Sequence, residues 1–294
     1  MSNERLKTGV NQLDAALGGG LIPGTLTVVI GVTGIGKTQL GLQFLDAARK
    51  QEGLRGMVLD FTARGDAQNH RDYAKRISAW DLNTFEPPKR DELGSLLEMR
   101  KDFAEYFPVV SQRGRTVSKS QMTEDEWRDW QAEWNREMHR VIAFLYAGFC
   151  SGRQRIIIDG IEPIEGENDS AQLHLFEYIY HKVIRQDPEW VARELFREHF
   201  RSLADKIAQR SYSCQSASCL MLVTTTELML DTLLQSPAAK PDLIANANTV
   251  IVMGKTRQNG AMGRALYIAK HRGSYIRDEI LPFSIDDTGI RMES

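Results

Sequence analysis

Nothing in the 294 residues approaches the run of roughly 20 apolar side chains that a membrane-crossing helix needs. The opening MSNERLKTGV is read as lacking the apolar stretch of a signal peptide. Cysteine is scarce. Cys150, Cys214 and Cys219 make an odd count with no Cys-x-x-Cys pair, and a cytoplasmic protein with reduced, packed thiols is the expectation. Charge of one sign is missing too: a formal net of −2 gives no general attraction to nucleic acid or to an anionic membrane. No internal repeat or low-complexity tract stands out. What remains is an ordinary globular composition, 42% hydrophobic and 26% charged, enough for one large α/β core or two small ones.

Against this plain background one stretch is informative. In GVTGIGKTQL (31–40), Gly31, Gly36, Lys37 and Thr38 satisfy Gly-x-x-x-x-Gly-Lys-Thr. Glycines let the backbone curl until successive N–H groups face phosphate oxygens. Lys37 would set a positive charge on the β- and γ-phosphates of ATP, and the Thr38 hydroxyl would be a ligand of Mg²⁺. The candidate nucleotide contacts are Gly31, Thr33, Gly34, Ile35, Gly36, Lys37, Thr38 and Gln39. The surroundings fit: TLTVVI (25–30) reads as a strand after the turn signal Pro23-Gly24. Leu40, Leu42, Phe44, Leu45 and Ala48 then follow with helical separations. Strand, glycine loop and helix together aim a helix N-terminus at an anion.

Further β-rich runs are GMVLDFT (56–62), RQRIIIDG (153–160), SCLMLVTTTE (218–227) and TVIVMGK (249–255), apolar enough to be buried on both faces. RALYIAKHRG (264–273) reads as one arm of a closing hairpin. Asp159, ending the third run, is placed where the water shell of Mg²⁺ would meet a carboxylate. Trp127, Trp130, Trp134, Met138, Val141 and Leu145 make a helical stripe, read as core or partner face, behind a capping box of Thr123 and Glu126. From Pro188, residues Val191, Leu195, Phe196, Phe200, Leu203 and Ile207 predict another amphipathic helix. Weak periodicity and scattered charge over 86–120 predict an inserted loop region.

The N-terminal LKTGVNQLDAALGGGLIPGTLTVVIGVTGIGKTQLGLQFL (6–45) resembles the opening of the KaiC branch of RecA-like ATPases. Thr8, Gly9, Leu13, Asp14, Leu17, Gly19, Gly20, Leu21, Pro23 and Gly24 carry the likeness. RALYIAKHRGSYIRDEILPFSIDDTGI (264–290) is similar to that family's closing segment. The resemblance implies an α/β RecA-like fold in one domain spanning 1–294. A central, mostly parallel sheet would be flanked by helices, with helical insertions at about 86–150 and 186–215. It implies ATP and Mg²⁺ as ligands and a homo-oligomer, commonly a six-membered ring, with nucleotide between neighbours. Lys270 and Arg272 stand where the family sends a lysine and an arginine across the interface onto the γ-phosphate, a cation supplied in trans.

One feature of the family is missing. Its second strand usually ends in Phe-Glu-Glu, whose carboxylates polarise the attacking water; here the residues are Phe61-Thr62-Ala63. A lost general base costs on the order of 10²- to 10⁴-fold in rate. Asp60, Asp66 and Glu227 are the relocated candidates. The expectation is ATP·Mg²⁺ binding with slow or impaired hydrolysis, in a nucleotide-dependent switch or scaffold that recruits a protein partner through its helical insert. Two alternatives stand beside it: a fully active ATPase using a relocated carboxylate, and a DNA-dependent RecA/RadA-like ATPase. The second is disfavoured by the segments that would face DNA. GIEPIEGENDS (160–170) holds Glu162, Glu165, Glu167 and Asp169 with no Lys or Arg, and 225–247 holds Lys240 as its one cation. Arg113, Arg115 and Lys119 form a basic cluster, read as a solvated loop.

Overall fold

Strands that read as unbroken apolar runs need cover on both faces, and the fold supplies it. The computed structural model describes residues 4–62, 70–100, 102–109, 122–162, 171–235, 245–258, 260–274 and 278–292. In chain order the elements are α1 (Asn11–Ala16), β1 (Leu26–Val32), α2 (Lys37–Gln51), β2 (Met57–Asp60), α3 (His70–Ser78), β3 (Tyr106–Pro108) and α4 (Glu124–Cys150). Then come β4 (Arg155–Ile161), α5 (Ala171–Ile179), α6 (Pro188–Phe196), α7 (Phe200–Gln209), β5 (Ser218–Thr225) and α8 (Leu230–Gln235). Four strands close the chain: β6 (Thr249–Gln258), β7 (Ala261–His271), β8 (Ile280–Asp286) and β9 (Gly289–Met292).

The nine strands form one sheet in the order β3-β2-β4-β5-β1-β6-β7-β8-β9. The first six run parallel and the last three antiparallel. Alternate residues of each strand enter opposite layers. Val28, Ile30, Ile156 and Ile158 face a layer that includes α4 and α6, whereas Val29 and Ile157 face one built on α2 and the N-terminal segment. The sheet is therefore sandwiched, as the resemblance implies. The chain leaves β1 toward one edge, returns through β5 and crosses to β6 on the other side. Connections thus diverge at the carboxyl end of β1, the place where open α/β sheets bind ligands.

Two sequence expectations change. The 86–120 segment holds more than a loop: its described part contains the 3-10 turn Arg90–Leu97 and the edge strand β3. Phe103 and Phe107 of this segment, with Phe85 just before it, cluster around Phe144 of α4 at ring-centroid separations of 5.3–5.5 Å. Each buried ring contributes roughly 1.5–3 kcal/mol, which holds a segment of poor periodicity in place. The helix expected from Pro188 to Ile207 is two helices, because the chain bends at Arg197 (φ 46°). The bend lets α6 bury Val191, Ala192, Leu195 and Phe196 while α7 lies half-covered. In α4, Thr123 Oγ1 accepts from the Glu126 amide and Glu126 Oε2 accepts from the Thr123 amide, the expected capping box. The stripe behind it enters the core progressively: Trp134 and Met138 are half-buried, Val141 and Leu145 fully.

Candidate nucleotide-binding site

The loop between β1 and α2 takes its shape from its glycines. Gly36 has φ +120° as the residue preceding α2, and a Cβ there would come within 2.9 Å of Ile285 Cδ1. Gly34 has φ +78°, and a Cβ there would meet nothing within 4 Å, so this part of the loop faces open space. α2 begins without a side-chain cap and with no acidic residue in its first turn, although α4 and α6 are capped by Thr123 and Asp187. Its first side chains, Lys37, Thr38 and Gln39, are buried, and Gln39 Oε1 has no hydrogen-bond partner among the described residues. A buried helix start with uncapped amides is built to meet an anion.

Lys37 Nζ donates to the carbonyls of Gly31 and Val32 at 2.8 and 3.0 Å. Burial pulls its pKa down to about 8 against the opposing charges of Asp159 and Glu162. The ammonium is thus poorly solvated beside the loop, where phosphate oxygens would replace lost water. Thr38 Oγ1 donates to Asp159 Oδ2 at 2.7 Å. This pair fits Mg²⁺ by its chemistry. The ion takes one or two protein oxygens and fills its octahedron with water and phosphate, and no group of three or more His, Cys, Asp or Glu among the described residues is arranged to enclose a metal.

Asp159 does not stand alone. In the parallel ladder it is the register partner of Asp60 on β2, so two carboxylates lie side by side on one face. His70, the first residue of α3, lies between them. Its Nε2 is 3.0 Å from Asp159 Oδ2 and its Nδ1 3.4 Å from Asp60 Oδ2, and the ring is almost wholly buried. Burial alone would raise the Asp159 carboxyl, but its bond to His70, the charge beside it, Thr38 and Lys37 together hold it below the usual range. Tyr106 of β3 donates its hydroxyl to Asp60 Oδ2 at 2.6 Å. Burial, then the Asp60 charge, pushes that phenol up, which keeps it a donor.

These contacts bear on the relocated-base candidates. Asp60 Oδ1 accepts from the Thr62 amide and hydroxyl at 2.8 and 2.6 Å, while Oδ2 serves Tyr106 and faces His70. Three hydrogen bonds, with the His70 edge 3.4 Å from Oδ2, already engage both oxygens of Asp60 and leave it poorly placed to take a proton from water. Glu227 follows β5 just beyond Thr225, the register partner of Val32, and so lies at the level of the loop. Its Oε1 accepts from the Met229 amide at 2.7 Å. Asp66 and Ala63 lie outside the described residues, as do Glu165, Glu167, Asp169, Lys240, Arg113, Arg115 and Lys119.

Lys270 and Arg272 converge on the Ala245 carbonyl at 3.0 and 3.1 Å. Lys270 pairs with Val250 and Val250 with Val28, so both cations sit at the amino end of β1. At about 3.3 Å per residue, that is roughly 16 Å along the strand from the loop of their own chain.

His70 and Tyr106 went unnoticed in the sequence. A usable signal existed: two apolar runs of a parallel sheet, each carrying one Asp near its carboxyl end, bring negative charges together if they pair in register, and a cation or donor must then join them. The thiols match expectation in being unpaired, and burial pushes those of Cys150 and Cys219 up to about 12. Among the described residues no helix is long and apolar enough to cross a membrane.

A family model described as ATPase: KaiC matches residues 6–183, more than half of the chain. A search of curated proteins returned no match. The match begins in the segment that carries the phosphate loop and runs past Asp159, joining the two halves of the site in one unit. The chain belongs to the KaiC family of P-loop ATPases.

Proposed function

We propose that this ATPase holds ATP with Mg²⁺ and turns it over slowly, acting as a nucleotide-dependent oligomeric switch or scaffold. The loop amides and Lys37 would hold the phosphates; Thr38 and Asp159 would hold the metal, which supplies charge neutralisation at the β- and γ-oxygens. One observation carries the slow-turnover reading. Where the family places a carboxylate, Thr62 stands with its hydroxyl donated to Asp60, whose two oxygens already accept three hydrogen bonds. Lys270 and Arg272 are too far from their own loop to act on its nucleotide, which favours a role at a neighbour's site in a ring. The exposed first turn of α4 offers a surface for a protein partner.

Phosphate release by the purified protein, measured beside its mass in solution with and without ATP, tests this reading. Turnover below about one per minute and a nucleotide-dependent rise in mass are expected. Faster turnover would favour the second reading, a fully active ATPase that uses Glu227; Glu227→Gln would then abolish it.

Thr62→Glu returns a carboxylate to the end of β2. Because a positioned base contributes on the order of 10²- to 10⁴-fold, even an imperfectly placed one is expected to raise phosphate release at least tenfold. The same assay measures it, and an unchanged rate would mean that the missing carboxylate is not what slows the reaction.

A further inference from the structure

The Asp60–His70–Asp159 chain has a use beyond relieving repulsion between two buried carboxylates. We infer that His70 is the positioning residue for Asp159: it fixes the carboxylate that the magnesium shell would meet, and Asp60 with Tyr106 fixes His70. The inference rests on the Mg²⁺·ATP reading above.

The geometry runs in one direction. Tyr106 and Thr62 hold Asp60 at both oxygens. Asp60 faces one edge of the imidazole and Asp159 the other, at 3.4 and 3.0 Å. The ring also packs on Tyr106, with centroids 5.6 Å apart and planes inclined by 41°. The Asp60 charge behind Nδ1, close but without a hydrogen bond to it, and the Tyr106 ring beside it favour the orientation in which Nε2 meets Asp159. Since the two nitrogens point to opposite sides, His70, Asp60 and Asp159 do not converge on one point as a metal cage would. Asp159 Oδ2 is reached from two sides, by Thr38 Oγ1 at 2.7 Å and by His70 Nε2. Rotation of the Asp159 carboxylate breaks both contacts. A carboxylate ligand oriented by such an outer partner typically loses 10- to 100-fold in metal affinity when the partner is removed. Asp60 thus acts as an anchor and not as a displaced base.

The test separates metal from nucleotide. ATP affinity is measured by calorimetry in EDTA and again in excess MgCl₂, for the wild type and for His70→Ala, His70→Gln, His70→Asn and Asp60→Asn, each checked by thermal melting. Without metal, all variants should bind ATP within threefold of the wild type. The tightening produced by Mg²⁺ should fall 10- to 100-fold in His70→Ala. Glutamine places an amide donor near the position of Nε2 and should restore most of it. Asparagine reaches only as far as Nδ1 and should behave like alanine, and Asp60→Asn should lose less than His70→Ala. An undiminished magnesium effect in His70→Ala overturns the inference. Equal loss with and without metal does so too, because His70 would then merely support the fold. A wild type whose ATP affinity ignores magnesium defeats the Mg²⁺·ATP reading itself, a result distinguishable from either.

Discussion

Lys37→Ala is expected to weaken ATP binding on the order of a hundredfold, by calorimetry or by displacement of a fluorescent nucleotide. The ammonium is almost wholly buried, and its hydrogen bonds run to carbonyls of its own loop. Burial has already taken away much of its hydration and pulls its pKa down to about 8. Phosphate oxygens therefore meet a cation that has little water left to shed. Hydrogen bonds to charged groups contribute about 1.5–3 kcal/mol, and about 2.8 kcal/mol is a hundredfold in affinity. Stability should change much less, because deleting the side chain removes a desolvated charge along with two hydrogen bonds. Lys37→Arg should fail nearly as badly: a planar fork does not substitute for a point charge in so tight a place. An alanine variant that melts like the wild type and binds ATP within threefold of it would sink the assignment of this loop, and with it the view that the protein grips nucleotide.

What could be read from the sequence and what could not divide along a physical line. The phosphate loop was legible because its parts are consecutive: a strand, four turn residues and a helix start carry their geometry in local dihedral demands. Asp159 was legible from the apolar run before it, although the strand continues two residues past it, to Ile161. The N-terminal resemblance also has a local cause, since Asp14 Oδ1 accepts from both the amide and the hydroxyl of Thr8, six residues away. The Asp60–Asp159 pairing was not legible, because register between strands about a hundred residues apart is settled by the whole sheet. His70 lies on a helix whose pattern says nothing of its first residue's neighbours, and Tyr106 belongs to a strand of only three residues. In the described part of 86–120 the loop reading gave way for a similar reason: rings such as Phe103 and Phe107 follow no period, yet they find Phe144. The slow-turnover expectation came from an absent pair of side chains; that Thr62 and Tyr106 donate to Asp60 could be seen only in the fold.

Arg155 was hidden among the isoleucines of its strand, and its removal should cost more stability than loss of the Lys37 side chain. The guanidinium is fully buried, with Nε to Glu52 Oε1 at 2.7 Å. One terminal nitrogen reaches the Lys7 and Phe44 carbonyls at 2.6 and 2.9 Å, and the other reaches Gln51 Oε1 at 2.5 Å. It lies over the Phe44 ring at 4.8 Å. One side chain thus ties the N-terminal segment, the last turns of α2 and the start of β4. Arg155→Ala leaves Glu52 without its cation in a mostly buried position, the situation in which breaking a pair costs about 3–5 kcal/mol. At about 2 °C per kcal/mol for a chain of this size, the melting temperature should fall by roughly 6 to 10 °C. Removing both charges should hurt less than removing one: Arg155→Met with Glu52→Leu is expected to recover at least about 1 kcal/mol over Arg155→Met alone, because no unpaired carboxylate remains. ATP affinity of the folded fraction should stay within threefold of the wild type, since Asp159 is held four residues further on by the ladder, Thr38 and His70. A loss below about 1 kcal/mol in Arg155→Ala would place this network with ordinary surface ion pairs. The N-terminal segment and α2 would then be joined by apolar packing and by the Gln51 hydrogen bonds to Lys7 and Arg5.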